Sequence, residues 1–323
     1  MAANFGLGLA ALGRPGYINL GHANDLNNNY SIDAMRTQCH RVLDTAWELG
    51  VRYFDAARSY GRAEEFLGSW LRKQNTLASD VTVGSKWGYT YTAAWQVQTP
   101  EGVSHEVKRH ELPVLQSQYQ ATLNQLGSHL DLYQIHSATL ESGVMENQDV
   151  LKLLNQIRES GTKIGLSVSG PNQFETIEKA LTIEFSGQKL FSYVQATWNL
   201  LETSSSTVLQ QAFDQGLKVI IKEGVANGRL TARNDSLNFE PKRKLLEQVA
   251  TDLNTTIDGL ALAAALNQPW AETVLSGAAT CEHLQSNLAA TKVQWNEQIA
   301  KQLASLVESP EEYWTSRSNL AWN

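Results

Sequence analysis

The feature that most constrains the fold of this 323-residue chain is a regular alternation of two kinds of segment. Short apolar runs rich in β-branched and aromatic residues, which are typical of buried strands, recur along the whole chain. Segments with helical spacing of apolar residues separate them. Seven runs begin at Val51, Val81, Leu130, Lys163, Tyr193, Leu217 and Glu272, and we expect an eighth strand near Phe5 to Leu12.

The segments between these runs predict the helices that connect the strands. Strands that alternate with helices are expected to be parallel and joined by right-handed crossovers. Eight such units in a chain of this length favour an α/β fold, a single (β/α)8 TIM barrel, over an open sheet. The predicted helices are Ala34–Leu49, Ala63–Leu71, Leu115–Leu126, Val150–Ile157, Phe174–Leu181, Val208–Ala212, Lys242–Leu253, Ile257–Leu266 and Glu282–Ala290.

No Pro- or Ser-rich linker interrupts the pattern, so we expect one domain over residues 1–323. Two regions fall outside the repeating units. Residues 89–112 are long and polar and predict an insertion over the barrel mouth. Residues 294–323 predict a helix followed by an irregular end, whose Trp314 and Trp322 fold back over the mouth.

The composition excludes several classes of protein. Lys and Arg number 26 and Asp and Glu number 33, which gives a formal net charge of −7. No basic field is present to attract nucleic acid or anionic membranes. Two cysteines, Cys39 and Cys281, do not suggest a disulfide framework. Without a recognisable leader peptide or an 18-residue apolar run, we expect a cytoplasmic monomer.

One motif near the start of the chain suggests a different fold. Gly6 to Ala11 fits G-x-G-x-x-A, the dinucleotide fingerprint of a Rossmann fold. That fingerprint requires a helix directly after the glycines, but the next residues are rich in Gly, Pro and Asn. We therefore interpret it as a glycine-rich first strand.

Ionisable residues stand at the ends of three consecutive predicted strands. Asp55 ends strand two, with Tyr60 in the loop after it; Lys86 ends strand three and His136 ends strand four. The carboxyl ends of barrel strands meet in one mouth, so these side chains should converge. Because buried charges are costly unless paired, we expect an Asp55–Lys86 ion pair beneath the Tyr60 hydroxyl.

This arrangement predicts proton transfer to an oxygen atom. A cation beside Tyr60 should lower the pKa of its phenol, making it a general acid or base near neutral pH. His136 can donate a hydrogen bond to a carbonyl oxygen and orient it. Reduction of that carbonyl needs a hydride, which no side chain supplies, so a cofactor is implied.

Each residue also has a purely structural interpretation. Asp55 alone could cap a loop, and Lys86 alone could be a solvated strand end. Tyr60 in a turn could simply pack, and His136 could be a satisfied core histidine. Their joint occurrence at successive strand ends favours the catalytic interpretation. The seven histidines show no metal-ligand spacing, so we expect no metal.

The stretches VRYFDAARSYG, VGSKWGY and LDLYQIHS resemble the aldo-keto reductase family, and the resemblance extends from GLGLAALG to SGAATCEHLQSNLAA. It implies that Asp55, Tyr60, Lys86 and His136 form a catalytic tetrad. It also implies a nicotinamide dinucleotide that binds across the mouth without a Rossmann fold.

The resemblance implies further cofactor contacts, with departures. Ser167 and Gln195 match the residues that hold the carboxamide, although Val168 replaces a usual Asn. Lys222 stands where an aromatic ring normally lies under the nicotinamide. The loop from Glu223 through Ala226 to Leu230 should wrap the pyrophosphate through backbone N–H groups.

At the last strand the resemblance places Gly277, His283 and Asn287 on adenosine-phosphate positions, with Gln285 nearby. The basic residues that usually grip a 2′-phosphate are missing there, since Ala279 and His283 replace a common Arg. Family habit nevertheless favours NADP(H), with NAD(H) possible.

The predicted activity is reduction of a small aldehyde, ketone or sugar, with a substrate pocket lined by Trp87, Tyr89, Trp95 and Trp198, which could equally be structural aromatics. Two alternatives stay open. A dinucleotide-binding regulatory subunit would turn over slowly and expose an apolar patch. A barrel aldolase would use Lys86 as a Schiff-base nucleophile.

Overall fold

A computed structural model describes residues 4–323 of the chain. Eight parallel strands close into a barrel in which each strand pairs with its neighbours in the sequence order of the units, and the first pairs with the last. The predicted (β/α)8 barrel is therefore confirmed. The strands are β1 Asn4–Gly8, β2 Tyr53–Asp55, β3 Thr82–Trp87, β4 Leu130–Ala138, β5 Lys163–Val168, β6 Tyr193–Thr197, β7 Lys218–Lys222 and β8 Ala271–Ser276.

Helices surround the barrel, and each of the nine predicted from the sequence is present with its ends shifted by at most a few residues. The bounds are α1 His22–Asp25, α2 Ile32–Glu48, α3 Ala63–Gln74, α4 Leu112–Leu126, α5 Gln148–Glu159, α6 Gln173–Leu181, α7 Ser206–Asp214, α8 Glu240–Asp252, α9 Ile257–Leu266, α10 Cys281–Ala289, α11 Glu297–Leu303 and α12 Pro310–Ser318. Within residues 4–323, none of them has the length and apolar character needed to cross a bilayer.

Burial on both faces explains why the strands are continuous apolar runs. Every residue of β6 is buried, because helices cover the outside of the barrel and side chains fill its inside. The interior filling includes a layer of large side chains that closes the barrel beneath the mouth: Tyr53, Leu132, Tyr193, Ile220 and Leu275. The mouth is therefore a depression with a solid base rather than a channel.

The two regions outside the repeat lie at the mouth. In residues 89–112, Tyr89–Tyr91 and Glu106–Lys108 form an antiparallel hairpin. The tail contains two helices, α11 and α12, where one was predicted. Its end returns to the loop after β1, since the backbones of Asn323 and Tyr17 exchange two hydrogen bonds of 3.1 Å.

Candidate active site

A cavity of about 450 Å³ opens at the carboxyl ends of the strands. Loops after β1 and β7, the hairpin and the carboxy-terminal tail form its walls. Among its lining residues are Asp55, Tyr60, His136, Gln195, Lys222 and Ser276. Asp55, Tyr60 and His136 therefore share one cavity, whereas Lys86 is fully buried and does not line it.

The buried centre of the site is the ion pair between Asp55 and Lys86. The Lys86 ammonium also donates to the Ala56 carbonyl at 3.0 Å and contacts the Tyr60 hydroxyl at 3.4 Å. The second Asp55 oxygen accepts hydrogen bonds from the side chains of Tyr53, Gln134 and Gln195 at 3.0–3.3 Å. The charges are thus fully paired inside the protein, as burial requires.

The pKa of the Tyr60 phenol differs from the prediction. Burial, followed by the nearby Asp55 carboxylate, raises the pKa of Tyr60 well above its usual value, although the Arg14 guanidinium opposes this. The prediction of a lowered pKa was wrong, because burial and the Asp55 carboxylate favour the neutral phenol more strongly than the nearby cations favour the phenolate. Tyr60 is therefore a protonated phenol at neutral pH, and a donor rather than an acceptor of protons.

His136 faces the same hydroxyl from β4. Its ring centroid lies 5.4 Å from that of Tyr60 and 4.9 Å from that of Tyr89, both edge to face. Its Nδ1 is 3.5 Å from the Ser59 hydroxyl. Burial, with the Lys86 charge, holds the pKa of His136 well below its usual value, so the imidazole is neutral. A neutral imidazole can still donate one N–H to a carbonyl oxygen.

Two charged residues that the sequence analysis missed stand over Tyr60. The Arg14 guanidinium lies 5.2 Å from the Tyr60 ring centroid and 4.9 Å from that of Trp322. It is paired with Glu106 of the hairpin at 2.8 Å. Arg14 lies in the loop after β1, six residues beyond the last residue of that strand, so a search of strand ends alone does not find it.

Across the mouth from Tyr60, Gln195 has a side-chain oxygen that accepts no hydrogen bond from the described residues. Its amide nitrogen donates to Asp55 at 3.0 Å, while its buried Oε1 has no hydrogen-bond partner among the described residues. Ser167 is buried and accepts a hydrogen bond from the Ser137 backbone N–H at 2.8 Å. Ser169, two residues further on, lines the cavity instead.

Lys222 and Glu223 end β7 at this rim. The Lys222 ammonium donates to the hydroxyls of Thr197 at 2.6 Å and Ser169 at 3.3 Å. Glu223 forms a bidentate pair with Arg317 of α12, whose Nη2 donates to Oε1 at 2.6 Å and whose Nε donates to Oε2 at 3.0 Å. Burial raises the pKa of Glu223, but the Arg317 and Lys222 charges outweigh it and lower the pKa to about 2. Nothing in the sequence indicated that Arg317 would reach the mouth.

The far end of the cavity is lined by Gly277, His283 and Asn287, and their binding of the adenosine side stays a prediction. With its amide oxygen accepting from Ser276, Asn287 donates to the Asp258 carboxylate at 3.1 Å. Gln285 is exposed and lines a separate cavity at the amino end of the barrel, so the structure does not bring it to this site.

Loops after β1 and β7 meet over this end of the cavity. Arg233 pairs with Asp25 at 2.9 Å and lies 3.1 Å from the His283 ring nitrogen. The residues from Glu223 to Gly228 line the cavity except for Ala226, which is buried beneath them. Ala226 could therefore contribute through its backbone rather than its side chain.

The predicted aromatic pocket is the part of the site with least structural support. Trp87 is fully buried and packs edge to face on His110 at 5.6 Å. Trp198 donates to Ser206 and packs on Trp270 at 5.9 Å. Neither lines the cavity. Tyr89 packs on His136 with ring centroids 4.9 Å apart and is likewise not among the residues that line the cavity.

Comparisons with known proteins identify the family of the chain. The sequence profile of the Aldo/keto reductase family matches residues 6–308. The chain belongs to the aldo/keto reductase family, oxidoreductases that in general reduce carbonyl groups with a nicotinamide dinucleotide. The resemblance proposed from the sequence is therefore confirmed.

Individual relatives are distant. The uncharacterized oxidoreductase YqkF of Bacillus subtilis is 26% identical over 288 residues, 82% of this chain and 85% of its own. The NADH-specific methylglyoxal reductase of Escherichia coli is 22% identical over 302 residues, 86% of this chain and 90% of its own. The solved holo form of aldo-keto reductase AKR11C1 from Bacillus halodurans superposes with a TM-score of 0.71 at 18% identity, covering 95% of this chain and 93% of that one. This structural similarity supports the fold of the chain alone.

Proposed function

We propose that this protein reduces the carbonyl group of a small aldehyde, ketone or sugar to an alcohol, with Tyr60 as the general acid. The observation that carries the proposal is the position of the Tyr60 hydroxyl, 3.4 Å from the buried Lys86 ammonium and inside the mouth cavity. A protonated phenol at this point can deliver a proton to an oxygen that gains negative charge.

The side chains have separate roles in this proposal. His136 donates its N–H to the substrate oxygen and orients it towards Tyr60. Tyr60 transfers its proton to that oxygen as the carbonyl is reduced, because an alkoxide is a stronger base than a phenolate. The Lys86 ammonium stabilises the phenolate left behind, and Asp55 fixes the position of Lys86.

The residues of the opposite rim fit a dinucleotide. Within residues 4–323, Oε1 of Gln195 has no hydrogen-bond partner and can accept from a carboxamide N–H; Oδ1 of Asn227, another residue that lines the cavity, also has none. A Cβ built on Gly277 would meet no atom within 4 Å, so this glycine borders open space. When bound, the dinucleotide would supply the hydride. Gln195, Ser169, Lys222 and the loop from Glu223 would hold it.

We propose NADPH as the preferred donor, with NADH also accepted. Arg233 and His283 are the basic groups at the adenosine end, which supports a 2′-phosphate. Arg233 is already paired with Asp25, and Asp258 adds negative charge, so the preference should be modest. Dissociation constants for both dinucleotides test this, and a preference for NADH above tenfold would overturn it.

We further propose that the chain works as one barrel domain, as a monomer, in the cytoplasm. The hairpin and the tail contact each other over the mouth, since Trp322 stacks on His105 with ring centroids 3.9 Å apart. This contact supports treating both as parts of the barrel domain. Analytical ultracentrifugation of the full chain tests the monomeric state, and a stable dimer would contradict it.

Replacing Tyr60 by Phe is the direct test of the proposed function. We expect kcat for carbonyl reduction, followed as loss of NADPH absorbance over a panel of aldehydes, ketones and sugars, to fall by about 10²–10⁴-fold. The dissociation constant of NADPH should change by less than about twofold, because the phenol acts on the substrate.

Tyr17→Phe is the matched control, since Tyr17, like Tyr60, is a partly buried tyrosine in the cavity wall, with the Arg14 guanidinium 5.1 Å from its ring centroid. It should keep most of the activity. Full activity in Tyr60→Phe would contradict the acid role. Tight dinucleotide binding without turnover of any carbonyl compound by the unaltered protein would instead indicate a regulatory subunit. A borohydride-trapped substrate adduct on Lys86 would indicate an aldolase, and we expect none.

A further inference from the structure

The charged side chains lining the cavity are not equally paired. Each arginine that lines it has a carboxylate partner close by. Arg14 is 2.8 Å from Glu106, Arg233 is 2.9 Å from Asp25 and Arg317 is 2.6 Å from Glu223. Charge at these three points is balanced within the protein.

Lys222 lacks such a partner among the described residues. The carboxylate nearest to its ammonium belongs to Glu223, at 3.9 Å, and both oxygens of that carboxylate already accept hydrogen bonds from Nε and Nη2 of Arg317. Its two close contacts are the neutral hydroxyls of Thr197 and Ser169. The group formed by Lys222, Glu223 and Arg317 therefore carries one excess positive charge. The Lys222 side chain is only 15% exposed, so water screens this charge poorly.

The excess positive charge lies on the same rim as Gln195, whose Oε1 has no hydrogen-bond partner among the described residues. Lys222 pairs in register with Thr197, two residues beyond Gln195 on β6. Lys222, Gln195 and Tyr60 line the same cavity. A ring that passes a hydride to a carbonyl held at Tyr60 would have to be in contact with that carbonyl, and would therefore lie in the cavity that Lys222 also lines.

We propose that Lys222 makes the site discriminate between the two redox forms of the dinucleotide, binding the reduced form more tightly than the oxidised one. This inference rests on the proposed function. The nicotinamide ring is neutral when reduced and cationic when oxidised, whereas every other part of the molecule is unchanged. An unbalanced ammonium beside the ring repels the oxidised form alone.

The size of the effect follows from Coulomb's law. Two unit charges about 7 Å apart at an effective dielectric constant of about 20 alter a binding constant by well over tenfold. The Glu223 carboxylate offsets part of this. We therefore expect Lys222 to contribute a factor of about ten to the ratio of the two dissociation constants.

The test measures dissociation constants of NADPH and NADP⁺ by titration calorimetry for the unaltered protein and for Lys222→Met. Contacts shared by the two forms cancel in the ratio of oxidised to reduced constants. We expect the substitution to lower this ratio about tenfold. Lys222→Gln, which can keep the bond to Thr197, should do the same, and it serves if the Met variant does not fold.

Lys218→Met is the matched control. Lys218 occupies the amino end of the same strand, where it pairs with Glu272 at 2.7 Å, so its removal changes the net charge equally but outside the mouth. In Lys218→Met, the ratio of the NADP⁺ to the NADPH dissociation constant should stay within about twofold of that of the unaltered protein.

A second measurement needs no substitution. Burial lowers the pKa of Lys222 to about 8; the Glu223 and Asp55 carboxylates oppose this, and the Arg317 and Lys86 cations add to it. The ratio in the unaltered protein should therefore fall between pH 7 and pH 9, while that of Lys222→Met should not.

The possible outcomes separate the two proposals. If neither form of the dinucleotide binds, the proposed function fails. If both bind and the ratio is the same with and without Lys222, the redox discrimination alone is wrong. An unchanged ratio together with a raised KM for carbonyl compounds bearing a carboxylate would assign the charge to the substrate, which also overturns the inference.

Discussion

The two sides of the barrel mouth differ in how far the protein satisfies its own charges. On the side of β2 to β4, Asp55 and Lys86 are buried and fully engaged with neighbouring groups. On the side of β6 and β7, Lys222 lacks a close carboxylate among the described residues. Gln195 there and Gln134 on β4 each have an Oε1 without a hydrogen-bond partner among the described residues, but only Gln195 lines the cavity. One side therefore pairs its charges without a ligand, whereas the other places a charge and an acceptor beside the cavity that a ligand could use.

The largest loss of stability should follow from breaking the buried Asp55–Lys86 ion pair. Lys86→Met leaves the Asp55 carboxylate buried without a cation, and we expect the free energy of unfolding to fall by about 3–5 kcal/mol. Urea denaturation followed by tryptophan fluorescence measures this.

The double variant Asp55→Asn, Lys86→Met is the control, because it removes both charges. It should recover more than half of the loss, since the remaining groups are neutral. If the single variant were as stable as the unaltered protein, the pair would be solvated and the contrast between the two sides would disappear.

Breaking the pair on the opposite rim should have a smaller effect. Arg317 is 25% exposed, and an amide in place of Glu223 can still accept from it, so we expect Glu223→Gln to cost about 1–2 kcal/mol near pH 7.

The pH dependence of Glu223→Gln has a definite sign. A carboxylate whose pKa falls on folding stabilises the native state above its unfolded pKa, and this stabilisation is lost as the pH drops through the folded value. For Glu223 that range runs from 4.5 down to about 2. The stability difference between the unaltered protein and the variant should therefore narrow over this range. A difference that widened would show that Arg317 does not hold the ionised form.

The smallest effect is expected on dinucleotide binding through Gln195, whose Oε1 has no hydrogen-bond partner among the described residues. Gln195→Leu should weaken dinucleotide binding about fivefold, the loss of one neutral hydrogen bond. Gln134→Leu is the control, because Gln134 also donates to Asp55, at 3.3 Å, but does not line the cavity. Equal weakening by both substitutions would mean that Gln195 acts through Asp55 rather than on the ligand.

The sequence predicted most of the fold and one side of the site for the same reason. Strand ends are local features, and parallel strands in a barrel bring consecutive ends together. Asp55, Lys86 and His136 could therefore be placed without knowing any loop conformation. The predicted pKa of Tyr60 was wrong because that pKa depends on the balance between burial and nearby charges of opposite sign. Judging this balance requires interatomic distances, which the sequence does not give.

The other side could not be predicted in detail because its partners are far apart in sequence. Arg317 lies 94 positions from Glu223, and Arg14 lies 92 positions from Glu106. No periodicity links an arginine in the tail to a glutamate at a strand end. Gln285 and Trp198 failed as predictions for a related reason, since proximity in sequence to a site does not say which way a side chain points.

Asp55 joins groups from four places in the barrel: Tyr53 on its own strand, Lys86 on β3, Gln134 on β4 and Gln195 on β6. A residue tied to so many neighbours is difficult to exchange during evolution, because each change must be matched elsewhere at once. New substrate preferences in such a scaffold should arise in the hairpin and the tail, where replacements can accumulate one at a time. Libraries for redesigning the enzyme would best leave the four-way junction intact.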